Sequence, residues 1–188
     1  MSKFDDSLES FLAVNRQEWR DWLIENHQQS YGVWLIYYKV KSKKPSIRYP
    51  EAVQEALCFG WIDSKIQSLD RERYRQIFTP RKAKSVWSKL NKAYVEELIE
   101  QNLMTEAGFQ AIEIAKQNGS WTALDEVEAL VISDALRQAL INNQTAAINF
   151  EKLSKSKKKD ILLSISSAKR PQTKAKRIQK IINSLSDR

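Results

Sequence analysis

The chain is poor in the residues that build loops, disulfides and metal sites. It holds four glycines, four prolines, one cysteine and one histidine in 188 residues. So few glycines and prolines favour long regular elements over a loop-rich fold. A single cysteine excludes an internal disulfide and a cysteine-rich metal site, and a single histidine argues against a zinc enzyme. We therefore expect no metal and no cofactor.

Two kinds of hydrophobic segment are also missing. No run of about 18 apolar residues occurs, so no membrane span is expected. The opening residues, MSKFDDSLESF, carry acids where a signal peptide has a basic and then an apolar stretch. The sequence therefore predicts a cytoplasmic protein. The hydrophobic content of 42% is enough to bury a core in one large domain or two small ones.

The net charge of +8 is unevenly distributed along the chain. Residues 152–180 hold eleven Lys and Arg against Asp160, and residues 71–92 hold eight against Glu72. Residues 93–136, by contrast, hold nine acids. If this acidic middle faces the basic ends, much of the basic field is neutralised. The total charge by itself therefore does not predict nucleic-acid binding.

Local signals near the N-terminus predict one helix and one strand. Asn15 and Glu18 form a capping pair for a helix that ends near Gln28. The apolar stretch VWLIYYKV at residues 33–40 is rich in β-branched and aromatic residues, which predicts a central strand. The residues before Asn15 suit either a short helix or an edge strand.

The next stretch predicts a helix followed by a β-hairpin. Pro50 suits the first turn of a helix, and Gly60 suits a left-handed residue just after its end. Residues 61–69 and 73–80 alternate between polar and apolar side chains, which predicts two antiparallel strands. Ser85 is predicted to cap the helix that follows the hairpin.

The last third of the chain shows no strand signal. Ser133 and Pro171 mark helix starts, and amphipathic spacing recurs between and after them. The predicted fold class is therefore α+β, a small antiparallel sheet with helices, followed by a C-terminal helical bundle. The predicted domains are residues 1–122 and residues 123–188.

Four segments resemble the YdeI/OmpD-associated family, also described as bacteriocin-protection proteins. They read WLIENHQQSYGVWLIYYK, EALCFGWIDS, RYRQIFTPRKAKSVWSKLNK and AKRPQTKAKRIQKII, and together the likeness covers roughly residues 16–185. The resemblance implies a link to an outer-membrane porin and to protection against bacteriocins or cationic antimicrobial peptides. It implies no settled catalytic activity, so the sequence leaves open whether the protein is an enzyme.

The sequence suggests one candidate ligand site, for a small anion. Basic and hydroxyl residues lie together just where the Ser85 helix is predicted to start, and free amides at a helix start favour anions. Arg81 is the expected anchor because a guanidinium can bind a carboxylate or phosphate with two parallel hydrogen bonds. The predicted ligand-binding residues are Asp63, Arg81, Lys84, Ser85, Trp87, Ser88 and Asn91.

Each candidate also has a purely structural interpretation. Asp63 and Arg81 could form a structural ion pair, and Ser85 could merely cap a helix. Asp63, Arg81 and His27 could instead converge in an uncharacterised active site. Cys58, on the apolar face of a helix, is predicted to be core.

The basic residues 152–180 also have two interpretations. They could bind nucleic-acid phosphates, which makes nucleic acid the alternative partner to a small anion. They could instead form a solvated helix surface. We rank this interpretation first because no exposed aromatic side chains accompany the basic residues.

Overall fold

Helices dominate the protein, and four strands form its single sheet within the part that the computed structural model describes, residues 3–187. The N-terminal elements are α1 (Lys3–Ser7), β1 (Ser10–Leu12), α2 (Arg16–Asn26), β2 (Val33–Tyr38), a 3-10 turn (Val40–Ser42), α3 (Tyr49–Cys58), β3 (Trp61–Ser68), β4 (Arg73–Pro80), α4 (Lys89–Glu100) and α5 (Glu106–Gln117). The C-terminal elements are α6 (Asp125–Glu128), α7 (Asp134–Ile141), α8 (Gln144–Glu151), α9 (Lys155–Ser166) and α10 (Pro171–Ser186). The α+β fold class is confirmed. The chain divides into two compact units, 1–122 and 123–188.

The sheet has the strand order β1-β2-β4-β3. The hairpin of β3 and β4 is antiparallel, as predicted, and β4 also pairs antiparallel with β2. The prediction of a wholly antiparallel sheet was wrong at one edge, where β1 runs parallel to β2. The helix α2 connects these two strands, and such a crossover is what a parallel pair requires. The segment before Asn15 thus forms both a short helix and an edge strand.

Caps and turns in the N-terminal unit follow the sequence closely. The Asn15 side chain accepts a hydrogen bond from the Glu18 amide at 3.0 Å. The Glu18 carboxylate in turn accepts from the Val14 amide at 2.8 Å. Gly60 follows α3 with φ of 71°, a left-handed conformation that side-chain-bearing residues rarely adopt. These local interactions fix where α2 and α3 begin and end.

The helix predicted to start at Ser85 begins later in the chain. Ser88 is the N-cap of α4, and its hydroxyl accepts a hydrogen bond from the Asn91 amide at 3.2 Å. Ser85 lies in an irregular loop, where its amide donates to the Lys82 carbonyl at 2.8 Å. Trp87 is 1% exposed in this loop. The second serine of this segment, Ser88, therefore caps α4 in place of Ser85.

The N-terminal core lies between one face of the sheet and the helices α2 and α3. Trp19 packs edge-on against Phe78 of β4 at 5.4 Å and stacks on Trp22 at 5.2 Å. Helix α5 approaches α3 closely at Gly108, where a Cβ atom would lie 2.3 Å from the Cys58 carbonyl oxygen. Only glycine fits there, and this contact sets the position of α5 beside the end of α3.

A buried ion cluster joins α2 to α3. Glu55 is 1% exposed, and its carboxylate accepts hydrogen bonds from both Arg16 and Arg20. Arg20 also donates to the Leu103 carbonyl at 2.8 Å. A buried carboxylate is tolerated when it is paired and hydrogen-bonded in this way. This cluster was not predicted from the sequence.

The C-terminal unit is a helical bundle with an apolar core. Leu136, Phe150 and Ile182 are among its buried residues, and they come from three different helices. The side chains of Asn143 and Ser154 cap α8 and α9. Across residues 3–187, no helix combines the length and the apolar character needed to cross a membrane.

Candidate functional site

The loop of residues 81–88 carries most of the predicted site residues. Its first residue is tied to the start of the hairpin, because the Arg81 amide donates to the Gly60 carbonyl at 2.9 Å. Further along, the Ala83 carbonyl accepts hydrogen bonds from the Asn118 side chain at 2.6 Å and from the Ser120 hydroxyl at 3.2 Å. The loop is therefore held at both the sheet and the end of α5.

The Arg81 side chain lies flat over Trp87. Its central carbon is 3.6 Å from the centre of the Trp87 ring, a close cation–π contact. One terminal nitrogen, Nη1, donates to the Val86 carbonyl at 3.4 Å. The remaining two nitrogens of the guanidinium, Nε and Nη2, are shielded from solvent and make no hydrogen bond with any residue that the structure describes.

This environment disfavours the charge of Arg81. Burial lowers the pKa of the guanidinium to about 10, and the Asp63 carboxylate offsets part of that shift. The group is still cationic at neutral pH. A shielded cation without a hydrogen-bonded anion is costly, since burying an unpaired charge costs several kcal/mol in proteins.

A cavity of about 200 Å³ opens beside Arg81 and Trp87. Its polar lining residues are Arg81, Lys82 and Gln110. The remaining lining residues are small or apolar: Phe59, Gly60, Ala83, Trp87, Ala107, Ala111, Ile114 and Ala115. The cavity thus combines one cationic edge with a largely apolar interior.

A second and larger concavity lies on the neighbouring side of the hairpin. It encloses about 660 Å³, and Asp63, Lys82 and Ser85 are among the residues that line it. An ion pair between Lys65 and Asp5, 2.7 Å long, also lies at its wall. Lys82 lines both cavities, so the loop separates the two.

Asp63 does not form the ion pair with Arg81 that was one interpretation of the sequence. Its carboxylate instead accepts hydrogen bonds from the Tyr49 hydroxyl at 2.9 Å and from the Gln76 side chain at 2.7 Å. Burial and the adjacent Asp63 carboxylate raise the pKa of Tyr49 to about 12. Asp63 acts on Arg81 only at longer range, through its charge.

The seven predicted site residues therefore do not form one cluster. Arg81 and Trp87 come together at the smaller cavity, whereas Asp63 and Ser85 line the larger one. Ser88 caps α4, and the backbone of Asn91 is its partner. Lys84 is exposed and is not among the lining residues of either cavity.

His27 makes its own contacts at the end of α2. Its Nδ1 contacts the Leu23 carbonyl at 2.8 Å at the end of α2, and its ring packs on Phe59 at 5.0 Å. The three residues of the proposed active site thus each have their own partners. Cys58 is buried, as predicted, and burial raises the pKa of its thiol to about 11.

Sequence reasoning missed the α5 wall of the smaller cavity. Ala107, Ala111 and Ala115 recur every four residues and therefore lie along one side of the helix. Small residues at this spacing, together with Gly108, were a signal that α5 leaves room beside a neighbour. Lys82 and Gln110 were also missed, because the sequence does not show which surface a polar residue lines.

The basic residues of the C-terminal unit are mostly exposed. Lys158 pairs with Glu151 at 2.9 Å, and Lys159 pairs with Glu128. Other cations of residues 152–180 make no ion pair with any described residue, among them Lys155, Lys169, Arg170, Lys176 and Lys180. Within residues 3–187, no group of three or more His, Cys, Asp or Glu side chains could hold a metal ion.

Comparison with protein-family models gives two matches. Residues 129–188 match the family described as "Bacteriocin-protection, YdeI or OmpD-Associated". Residues 11–111, more than half of the chain, match a "Domain of unknown function (DUF8412)". Neither the curated proteins nor the solved structures give a match. The chain therefore belongs to the DUF8412 family, and the match of residues 129–188 supports the resemblance to the YdeI/OmpD-associated family over that part of the chain.

Proposed function

We propose that the protein binds a small anionic ligand at the cavity beside Arg81 and Trp87. The observation that carries this proposal is the free edge of the guanidinium: Nε and Nη2 have no hydrogen-bond partner among the described residues. These two N–H groups lie side by side on one edge of Arg81. That edge matches the two oxygens of a carboxylate or phosphate.

Electrostatics supports the same proposal. Burial lowers the pKa of Arg81, so the site favours any partner that compensates the cation. An anion within hydrogen-bond distance restores the favourable interaction that water would otherwise supply. Lys82 lines the same cavity and adds a second positive charge. Because Nε and Nη2 are shielded, we expect the loop of residues 81–88 to shift when a ligand enters.

The test is a thermal-shift screen with small carboxylates and phosphates. We expect at least one of them to raise the melting temperature, because a ligand that binds the folded state stabilises it by mass action. In Arg81→Ala the shift disappears. Lys89→Ala removes an exposed cation outside the cavity and serves as the control, with its shift retained. If no anion stabilises the wild-type protein, or if Arg81→Ala responds like the wild type, the site assignment is wrong.

We further propose that this ligand site connects the chain to bacteriocin or antimicrobial-peptide protection. The description of the C-terminal family supports the link. A protein with a net charge of +8 is a poor direct acceptor of cationic peptides, which favours an indirect route to protection. Bacteria that produce wild-type protein should survive a peptide challenge better than bacteria that produce Arg81→Ala at the same level. Equal survival of the two strains would show that the ligand site is not needed for protection.

A nucleic-acid-associated role remains the alternative, and the unpaired cations of the C-terminal unit favour it. Binding through phosphates would fall steeply with added salt, because each contact releases condensed counterions. Fluorescence anisotropy with short DNA and RNA at low and at physiological salt measures this. Absence of binding at low salt would rule the alternative out.

A further inference from the structure

We propose that the ligand of the Arg81 cavity is a monocarboxylate with a short apolar body, rather than a phosphate. This inference rests on the proposed anion site and narrows its chemistry. The carboxylate binds the free edge of Arg81, and the apolar body fills the space along α5.

The first argument is the composition of the cavity. Beyond its cationic edge, the interior is lined by side chains such as Ala107, Ala111 and Ile114, which offer no hydrogen bonds. A dianionic phosphate would lose more hydration free energy than a monoanion on entering this lining, because the cost of burying charge rises with the charge buried and Lys82 is the one lining cation besides Arg81 among the described residues. A monocarboxylate leaves only one charge to compensate.

The second argument is the shape of the cationic group. The central carbon of the Arg81 guanidinium lies 3.6 Å from the centre of the Trp87 ring, and Nε and Nη2 are shielded, so a ligand reaches their edge once the loop of residues 81–88 shifts. A planar carboxylate can lie in the same plane as the guanidinium and accept from both Nε and Nη2. Because Nη1 already donates to Val86, the edge has two free donors, the number a carboxylate needs.

The third argument is size. The cavity volume of about 200 Å³ lies below the range of roughly 300–1,000 Å³ that is typical of pockets for drug-sized ligands. A nucleotide or a long acyl chain is too large for this space, whereas a carboxylic acid of a few carbons fits. The small residues of α5 set this limit, since a larger side chain at Ala111 would occupy the interior.

Calorimetric titration with four probes tests the inference. Hexanoate is the expected ligand, acetate lacks the apolar body, hexanamide lacks the charge, and inorganic phosphate is the competing class of anion. We expect hexanoate to bind more tightly than acetate by roughly fourfold for each methylene that the cavity buries. Hexanamide and phosphate should bind at least tenfold more weakly than hexanoate.

Two variants locate the binding. Arg81→Gln should abolish hexanoate binding, and Ala111→Leu should reduce hexanoate to the affinity of acetate by filling the interior. Lys89→Gln, with the same loss of charge outside the cavity, should bind hexanoate like the wild type. Circular dichroism of each variant confirms that it is folded. Since Ala111→Leu adds only apolar volume, it tests the cavity even if Arg81→Gln is unstable.

The outcomes separate this inference from the broader proposal. If phosphate binds more tightly than hexanoate and Arg81→Gln abolishes it, the anion site stands and the carboxylate inference is wrong. If hexanamide binds as well as hexanoate, or if Ala111→Leu leaves hexanoate affinity unchanged, the carboxylate inference is also wrong. If no probe binds, the inference has failed, and only the wider ligand screen can still support the anion site. If Arg81→Gln binds the four probes with the same affinities as the wild type, the binding lies elsewhere, and both the carboxylate inference and the proposed anion site are wrong.

Discussion

The two units of the chain differ in whether they bury polar and charged residues. Every buried polar or charged residue among those described lies in residues 1–122: Ser46, Glu55, Gln76 and Ser120. The buried residues of the C-terminal unit are all apolar. Buried polar groups are costly unless they are satisfied, and they require specific geometry. The interior of the N-terminal unit therefore depends on specific polar contacts, whereas the fully buried residues of the C-terminal bundle pack through apolar contacts.

The largest expected effect comes from removing the buried acid. Glu55→Ala leaves Arg16 and Arg20 without their shared partner, and breaking a buried ion cluster typically costs about 3–5 kcal/mol. The pair of the exposed Glu151 and the partly buried Lys158 is the control in the C-terminal unit, where Glu151→Ala should cost at most about 1 kcal/mol. Urea unfolding measures both. Equal costs would contradict the contrast between the two units.

The second prediction tests whether the two units unfold separately. Ile182→Ala removes buried apolar volume from the C-terminal core and should cost that unit about 2–5 kcal/mol. All six tryptophans lie in residues 1–122, so their fluorescence reports the N-terminal unit alone. The variant should shift the far-ultraviolet circular dichroism transition and leave the fluorescence transition unchanged. A shift in both signals would mean that residues 1–122 and 123–188 are not independent domains.

Alkaline pH should weaken the N-terminal unit selectively. Burial raises the pKa of Tyr37, Tyr49 and Cys58, to about 12 for Tyr49 and about 11 for Cys58. The unfolded chain therefore loses these protons first, and stability falls as the pH rises above about 9. The well-buried Tyr37 contributes a slope of up to about 1.4 kcal/mol per pH unit, and the more exposed Tyr49 contributes less.

The depressed pKa of Arg81 acts in the opposite direction and offsets part of this loss. The C-terminal unit contains no tyrosine or cysteine, so it lacks these contributions. Urea midpoints from fluorescence and from circular dichroism, measured between pH 8 and pH 11, separate the two units. Tyr49→Phe should flatten the slope. A fluorescence midpoint that rises with pH would show that Arg81 outweighs the tyrosines.

The smallest effect has the opposite sign from the others. Arg81→Met replaces a shielded, unpaired cation with an apolar side chain of similar length, and we expect it to stabilise the N-terminal unit by about 1 kcal/mol. The same change should abolish anion binding. Thermal melts with and without ligand measure both effects. A clear loss of stability would mean that the contact of Arg81 with Trp87 matters more for folding than its burial costs.

The sequence predicted the elements that depend on neighbours in the chain. The strand β2, the Asn15 cap and the left-handed Gly60 all follow from local residue types, and the structure confirms them. The start of α4 was wrong because Ser85 and Ser88 satisfy the same capping pattern. Trp87 lies between them and packs against Trp121, and a contact between residues so distant in sequence is not visible in a local capping pattern.

The candidate site was predictable only in part, for the same reason. Arg81 and Trp87 lie in one short segment, so their proximity could be expected. The partners of Asp63 come from α3 and from the opposite strand of the hairpin, and the register of that pairing cannot be read from residue types alone. The small residues of α5 could not be assigned to the cavity from the sequence, because it does not show that the helix lies beside the loop of residues 81–88.

One backbone hydrogen bond has a practical consequence. The Gly60 carbonyl and the Arg81 amide close the hairpin at the end that carries the cavity. The turn at Leu69–Glu72 lies at the opposite end of the two strands and is exposed. Exposed turns of this kind tolerate inserted residues. A short affinity tag or fluorophore placed there would allow the protein to be immobilised or labelled with the cavity left open.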